Sequence, residues 1–339
     1  MKRKNPAGGN VVLLALALIL VLVFLASFSL GRYGIPIIQV IKILFHPLFG
    51  YEQSWTDAME TVVWNIRMPR ILLACLVGCC LSAAGASYQG VFQNPMASPD
   101  ILGASNGAAF GAALSILLGA SMMGVAGGAF AMSMISMAVV LLIASKAKGN
   151  RIVGLILAGI MVGSLFSAGT SYIKLVADPS NELPQITYWL MGSLSGARMN
   201  QVLSVMIPMA IGLVPLLLLR WRINLLTLGE DEARALGVNT SLLRLTVIAC
   251  STLITASSVA VSGMIGWVGL VIPHLLRRIV GSDYRYLLPA SCMGGAIFLL
   301  LVDDVSRNLL AVEIPIGILT VFIGAPFFIY LLCRKEKML

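Results

Sequence analysis

The chain is written in long apolar blocks broken by short polar stretches. The blocks are apolar on every face, without the two-residue alternation of a half-buried strand or the one-sided polarity of a helix resting on a soluble core. About twenty residues of α-helix rise ~30 Å, the thickness of a bilayer's hydrocarbon core. A helix also satisfies its own backbone in lipid. A membrane β-barrel would need segments of roughly ten residues with alternating polarity, and the runs do not alternate. Ten spans are expected, near 11–30, 66–90, 101–119, 122–145, 152–176, 202–220, 242–262, 267–280, 286–304 and 314–333. The eighth is short and polar for a crossing, because it holds Pro273, His274, Arg277 and Arg278. The longest polar stretches, about 31–65, 177–201 and 221–241, leave no room for a soluble domain. The fold class expected is therefore an all-α polytopic membrane protein, with residues 1–339 forming one membrane domain.

Composition agrees. Over 339 residues the mean hydropathy is +0.95, with 59% hydrophobic and 11% charged residues, against roughly a quarter charged in soluble domains. A water-soluble enzyme, a disordered chain and a nucleic-acid-binding domain are excluded. The net charge of +9 reflects basic residues flanking membrane-length runs, where topology explains them. The first run follows Met1-Lys2-Arg3-Lys4 but exceeds a signal peptide's apolar region, so an uncleaved first helix is expected. The six cysteines, Cys75, Cys79, Cys80, Cys250, Cys292 and Cys333, lie in apolar segments. They read as small packing residues, with no metal or redox role.

Charge also orients the chain. With the N-terminus inside, Lys2, Arg3, Lys4, Lys146, Lys148, Arg151, Arg220, Arg222, Arg234, Arg244, Arg277, Arg278, Arg285, Arg334, Lys335 and Lys337 are cytoplasmic. Arg32, Lys42, Arg67, Arg70, Lys174, Arg198 and Arg307 lie outside. That asymmetry fits the positive-inside rule, and both termini inside requires an even number of spans.

Small residues recur every four positions at Gly103, Gly107 and Gly111, and again at Gly78, Ser82, Ala86 and Gly90. Such stripes let helix backbones approach closely in lipid. They are not nucleotide loops, since no Gly-Lys dipeptide exists to make a phosphate-binding loop. Mid-span ionisable groups, the usual mark of ion relays, are nearly absent. Lys174 with Asp178, and Asp303 with Arg307, are spaced for local ion pairs. A transporter with this interior draws its energy from outside the chain.

The polar segment Gly229-Glu230-Asp231-Glu232-Ala233-Arg234-Ala235-Leu236-Gly237 has acids in its first turn and a closing glycine, the pattern of a short helix. It reads either as a solvated connector or as a docking helix gripped by a cytoplasmic partner.

Several motifs, in order and at their spacings, resemble the FecCD-type permease subunits of ABC importers for iron-siderophores, haem and cobalamin. They are Arg67-Met68-Pro69-Arg70; Gln89 with Gln93-Asn94-Pro95-Met96-Ala97-Ser98-Pro99; Ile101 to Ala108; Tyr188 to Ser193; Leu228 to Gly237; Gly263 to His274 with Arg277; Asp283-Tyr284-Arg285; Leu288-Pro289; Arg307; and Glu313 to Gly317. The likeness runs from about residue 60 to residue 333. Met96, Trp267 and Tyr284 depart from the family's usual Leu, Phe and His, which bears on local packing.

The resemblance implies an iron(III)-siderophore permease, with cobalamin or haem as the alternative cargo. The distant rival, from a different class, is a secondary transporter that needs no ATPase, and the near-absence of mid-span charges argues against it. The resemblance also implies a homodimer in the cell membrane with the path at the dimer interface. Two cytoplasmic ATPase subunits would carry ATP and Mg, and an extracytoplasmic solute-binding protein would deliver cargo. This chain would hold no cofactor or metal and perform no catalysis. Gly229, Glu230, Asp231, Glu232, Ala233, Arg234, Leu236 and Gly237 would couple it to the ATPase. Arg67, Arg70 and Arg307 would dock the binding protein, or else snorkel as anchors. Asn94 and Met96 would form a cytoplasmic gate, unless Asn-Pro simply sets a turn. His274 is expected to make a local hydrogen bond rather than ligate haem.

Overall fold

The computed structural model describes residues 6–147 and 151–333. Lys2, Arg3, Lys4, Lys148, Arg334, Lys335 and Lys337, used above for orientation, lie outside the described residues.

All ten expected spans contain a helix. They are α1 (Pro6–Ser29), α4 (Met68–Val91), α5 (Ala104–Leu117), α6 (Met122–Lys146), α7 (Arg151–Val176), α9 (Met199–Leu226), α11 (Thr240–Ser262), α12 (Val268–Val280), α13 (Tyr284–Asn308) and α14 (Ile316–Cys333). Among the described residues, seven helices are long and apolar enough to cross a membrane. Helix α5, at 14 residues, and α12, at 13, are shorter than the long crossings. The stretch 31–65 is not a plain polar loop, because it folds α2 (Ile37–Phe49) and α3 (Asp57–Thr61). Segment 177–201 likewise contains α8 (Glu182–Leu190), and 221–241 contains α10 (Glu230–Ala235).

Helix α4 lies at the centre, against α13, α11, α12 and α9, while α1 stands on the rim with Val11, Leu14, Leu18 and Leu22 exposed. Lipid is as apolar as leucine, so helices gain little from hydrophobic contact and associate through close packing. Glycine supplies it. A Cβ on Gly78 would enter the space of the Gly295 carbonyl on α13, and one on Gly85 that of the Gly269 carbonyl on α12. The second stripe packs on α6, where Gly107 faces Met132 and Gly111 faces Gly128.

Many buried hydroxyls find partners within their own helices. In α11, Thr252, Thr255, Ser258 and Ser262 each donate to the carbonyl four residues back, and the Tyr88 and Thr252 hydroxyls meet at 2.9 Å. Ahead of α4, Val62–Arg67 forms a turn of π-helix, with the Met68 N–H donating to the Val63 carbonyl. Pro69 has no N–H and clashes with the carbonyl four residues back, and the wider turn absorbs that conflict.

These contacts set a test. Gly85→Val should lower Tm in detergent sharply or abolish folded yield, since overpacking a tight core costs about 1–3 kcal/mol or more. Gly127→Val, where an added Cβ meets nothing within 4 Å, should leave Tm little changed.

Candidate functional site: two ends of one helix bundle

Polar groups collect at opposite ends of α4. At its first end, six charges are gathered from the start of α4, from α13 and from the loop that follows α13. The Arg70 Nε donates to both Asp303 oxygens, at 2.9 and 3.1 Å, and its Nη1 donates to Glu313 Oε1 at 3.0 Å. Arg307 Nε lies 3.7 Å from Asp303, and its Nη2 donates to Asp304 and, at 2.9 Å, to the Ser27 carbonyl. Ser27 Oγ in turn donates to Asp304 Oδ2 at 2.6 Å. Arg67 donates to the carbonyls of Phe28 and Tyr33, which ties α1 and its exit to α4.

Three arginines thus meet three carboxylates, and the cluster is charge-balanced. Arg67, Arg70 and Arg307 are 3%, 7% and 7% exposed, so within this chain they are neither free cations at the surface nor snorkelling anchors. Of the two expected local pairs, Asp303–Arg307 forms. Among the described residues Lys174 and Asp178 make no ion pair; the Asp178 N–H instead donates to the Glu182 carboxylate at 3.1 Å.

At the far end, the loop after α4 meets the last turn of α9. Asn94 Oδ1 accepts from the Met96 N–H at 2.8 Å, an Asx turn that leaves Met96 exposed. The turn expected as the alternative for Asn94 is therefore present in the geometry. Gln93 adopts a left-handed conformation, φ 50°, and its Nε2 donates to the Leu226 carbonyl at 2.6 Å. That carbonyl belongs to the end of α9, where helix geometry leaves acceptors unpaired. One residue of this loop thereby holds the end of the helix that leads into α10.

Helix α10 is short and its boundaries are built by glycine. Gly229, at φ 125°, starts it with the Glu232 carboxylate folded against its Cα. At the other end the Gly237 N–H donates to the Arg234 carbonyl and the Val238 N–H to that of Ala233. These are the paired bonds of a Schellman cap, with Gly237 left-handed at φ 78°. Ala233 is fully buried and anchors the helix on its neighbours, while Leu236 is 61% exposed. Glu230 and Asp231 fall in its first turn.

A second link runs alongside. Asn224 on α9 donates to Asp283 Oδ1 at 2.8 Å and accepts from the Tyr284 N–H at 2.8 Å. Arg277 on α12 donates to Gln89 Oε1 on α4 at 3.0 Å and to the Tyr284 hydroxyl at 3.2 Å. The tyrosine at 284 therefore supplies a hydrogen bond as well as bulk. Burial alone would raise the Asp283 carboxyl, but bonds from Arg285 and Asn224 hold it below its ordinary value. Trp267, a bulky residue at φ 70°, packs edge-on against Phe328, and His274 sits against Phe327 and Phe328.

Sequence reasoning singled out the α10 segment, the loop after α4 and all three arginines. It missed buried Asp304 and half-buried Glu313 as the arginines' partners, and the contacts of Gln93 and Asn224. The contacts of Glu313, Gln93 and Asn224 join residues 59 to 243 apart and leave no local periodic signal. The Asp304–Arg307 pair, three apart on α13, was within reach of the spacing argument applied to Asp303 and Arg307.

Removing one partner of a buried pair leaves an unpaired charge, at a cost of about 3–5 kcal/mol. Arg70→Met should therefore unfold the chain at a lower temperature, and Arg70→Met with Asp303→Leu should recover much of the loss. Burial pushes the Glu313 carboxyl up, but the bonded Arg70 guanidinium prevails and holds it below the ordinary 4.5. A lowered folded value adds stability above the ordinary one, and this stability disappears as pH falls through the folded value. Glu313→Gln should thus lower Tm near neutral pH, and its difference from the parent should shrink as pH drops below 4.5 and vanish below the folded value.

The comparisons with known proteins converge on one family. The FecCD transport family matches residues 19–334. The molybdate import system permease protein MolB of Haemophilus influenzae is 40% identical, over 98% of each chain. The hemin transport system permease protein HmuU of Yersinia pestis is 37% identical, over 95% of each. A solved structure described as an inward-facing metal-chelate type ABC transporter superposes with a TM-score of 0.84 at 38% identity, covering 95% of this chain and 98% of that one. With a match across almost its whole length and a shared helical architecture, the chain belongs to the FecCD transport family and is a multi-pass permease of the ABC importer class.

Proposed function

We propose that this chain forms the membrane path of an ATP-driven importer for an iron(III)-siderophore complex. Two copies line the path, a separate pair of ATPase subunits works on the cytoplasmic side, and an extracytoplasmic binding protein presents the cargo. The metal-chelate neighbour and the hemin relative support a chelated-metal cargo. The molybdate relative makes an oxyanion the second candidate.

Charge supports the orientation. The α10 end carries Lys146, Arg220, Arg222, Arg234, Arg244, Arg277, Arg278 and Arg285, and that end is cytoplasmic, with both termini. Arg285 lies over the Trp221 ring at 5.0 Å, an aromatic–cation pair suited to the membrane interface. Of the opposite basic residues, Arg67, Arg70 and Arg307 lie within the charge-balanced cluster, which leaves Arg32, Lys42, Lys174 and Arg198 against the eight at the α10 end.

The single observation that carries the mechanism is the Gln93–Leu226 hydrogen bond. The exposed side of α10, around Leu236, takes the ATPase. When the two ATPases close, α10 moves with the end of α9, and Gln93 passes that displacement to Asn94 and Met96 at the inner gate. Rigid helices switching between discrete packings carry such shifts over long distances. Docking of the binding protein falls to exposed groups around the charged cluster, Arg32 and Arg198 among them. Arg67, Arg70 and Arg307 hold that face in shape.

Leu236→Asp tests the coupling face. Introduced into the full transporter, it should reduce affinity for the ATPase by about tenfold, the equivalent of about 1.4 kcal/mol. The same variant should abolish uptake of labelled ferric siderophore while the chain's own Tm is unchanged. Undiminished uptake would remove α10 from the coupling role. Haem, cobalamin and molybdate, assayed beside the siderophore in a strain lacking the permease, identify the cargo by which uptake is lost.

A further inference from the structure

Between the loop after α4 and α5, residues Pro99–Leu102 make a single 3₁₀ turn. Asp100 stands on it, four positions after Met96. Its Oδ1 accepts from the Ser105 hydroxyl at 2.6 Å. Among the described residues, no Lys or Arg lies within ion-pair distance of this carboxylate. It opens on a cavity of about 580 Å³ walled by Asn106 and by one face of α7 that includes Gly163, Ser164 and Ser167.

Glycine keeps that space open. The Asn106 amide nitrogen would lie 2.8 Å from a Cβ on Gly163, and Gly103 packs on the backbone of Gly159 and Gly163. A larger residue at 163 would fill the space beside Asn106. A carboxylate inside a membrane protein is tolerated where it faces a water-filled cavity and not where it faces lipid. Asp100 stands in the loop after α4 and is exposed, as are Ser164 and Ser167 on α7, so this wall is open to water, with a serine hydroxyl on one carboxylate oxygen and no cation beside it. Along α7 the Ser164 and Ser167 hydroxyls alternate with Ile156 and Ile160 in the lining. Ser164 Oγ, which donates to the Ile160 carbonyl at 2.8 Å, keeps its lone pairs for the cavity.

We infer that this cavity is the inner station of the transport path and that Asp100 makes it attractive to cations and hydrogen-bond donors. The inference rests on the permease reading above and adds a specificity to it. Cargo is met by a carboxylate, with the Asn106 amide and the α7 hydroxyls beside it. A neutral or cationic complex presenting amide or hydroxyl donors fits that lining. A bare oxyanion, which offers only acceptor oxygens, is repelled by it.

The test reads the local field without needing the natural cargo. Ser164→Cys is introduced into the full-length chain in membrane vesicles, and background labelling of the native cysteines is subtracted using the parent. Cys-directed methanethiosulfonates bearing either a trimethylammonium or a sulfonate group are then compared, each rate normalised to a free thiol. The cationic reagent should react about tenfold faster, as expected for one nearby charge in a partly aqueous site. Asp100→Asn should erase the preference, and Asp100→Glu should retain it. No preference in the Ser164→Cys chain, or a preference that survives Asp100→Asn, would overturn the role of Asp100, and the first of these is readable even if Asp100→Asn fails to fold. Protection of Ser164→Cys from both reagents would overturn the aqueous station. ATP-dependent uptake measured on the same vesicles distinguishes that failure from failure of the permease reading itself.

Discussion

Helices in lipid cannot be pressed together by water, and the architecture depends on that constraint. Association must come from backbone approach and from polar groups that have no better partner. Helix α4 meets both demands. Glycines at 78 and 85 bring α13 and α12 to within backbone contact, and Arg70 at one end of α4 gathers Asp303 and Glu313. The positions of both ends of the bundle follow from this one central helix.

The two ends divide the work. The charged cluster is balanced and buried, which fixes α1, α4 and α13 relative to one another. At the other end the links between elements are separate hydrogen bonds with no ion pair among them, Gln93 to Leu226, Asn224 to Asp283 and Tyr284, and Arg277 to Gln89. A neutral hydrogen bond contributes only about 0.5–1.5 kcal/mol net. Such links hold neighbouring elements together while leaving them able to shift, as the gate proposed at Asn94 and Met96 would require.

Much of this was legible in the sequence. The apolar runs located all ten helices, since twenty residues without a polar face have few alternatives in lipid. The glycines at 229 and 237 framed α10 by ordinary capping rules. The run at 101–119 overstated α5, because apolar residues continue through the turn that Gly103 imposes. The arginines were visible as charges but not as a cluster, because Arg70 and Asp303 are 233 residues apart. Asp100 was hidden by its block of small and apolar neighbours, and only the cavity beside α7 gives it meaning.

The central claim is that motion at α10 reaches the gate through Gln93. The direct measurement is ATP hydrolysis and cargo uptake in the same reconstituted transporter carrying Gln93→Ala. The account predicts that hydrolysis persists while uptake per ATP falls severalfold, with the chain's Tm little changed. Uptake and hydrolysis in their normal ratio would contradict it, because the gate would then be moving without the link.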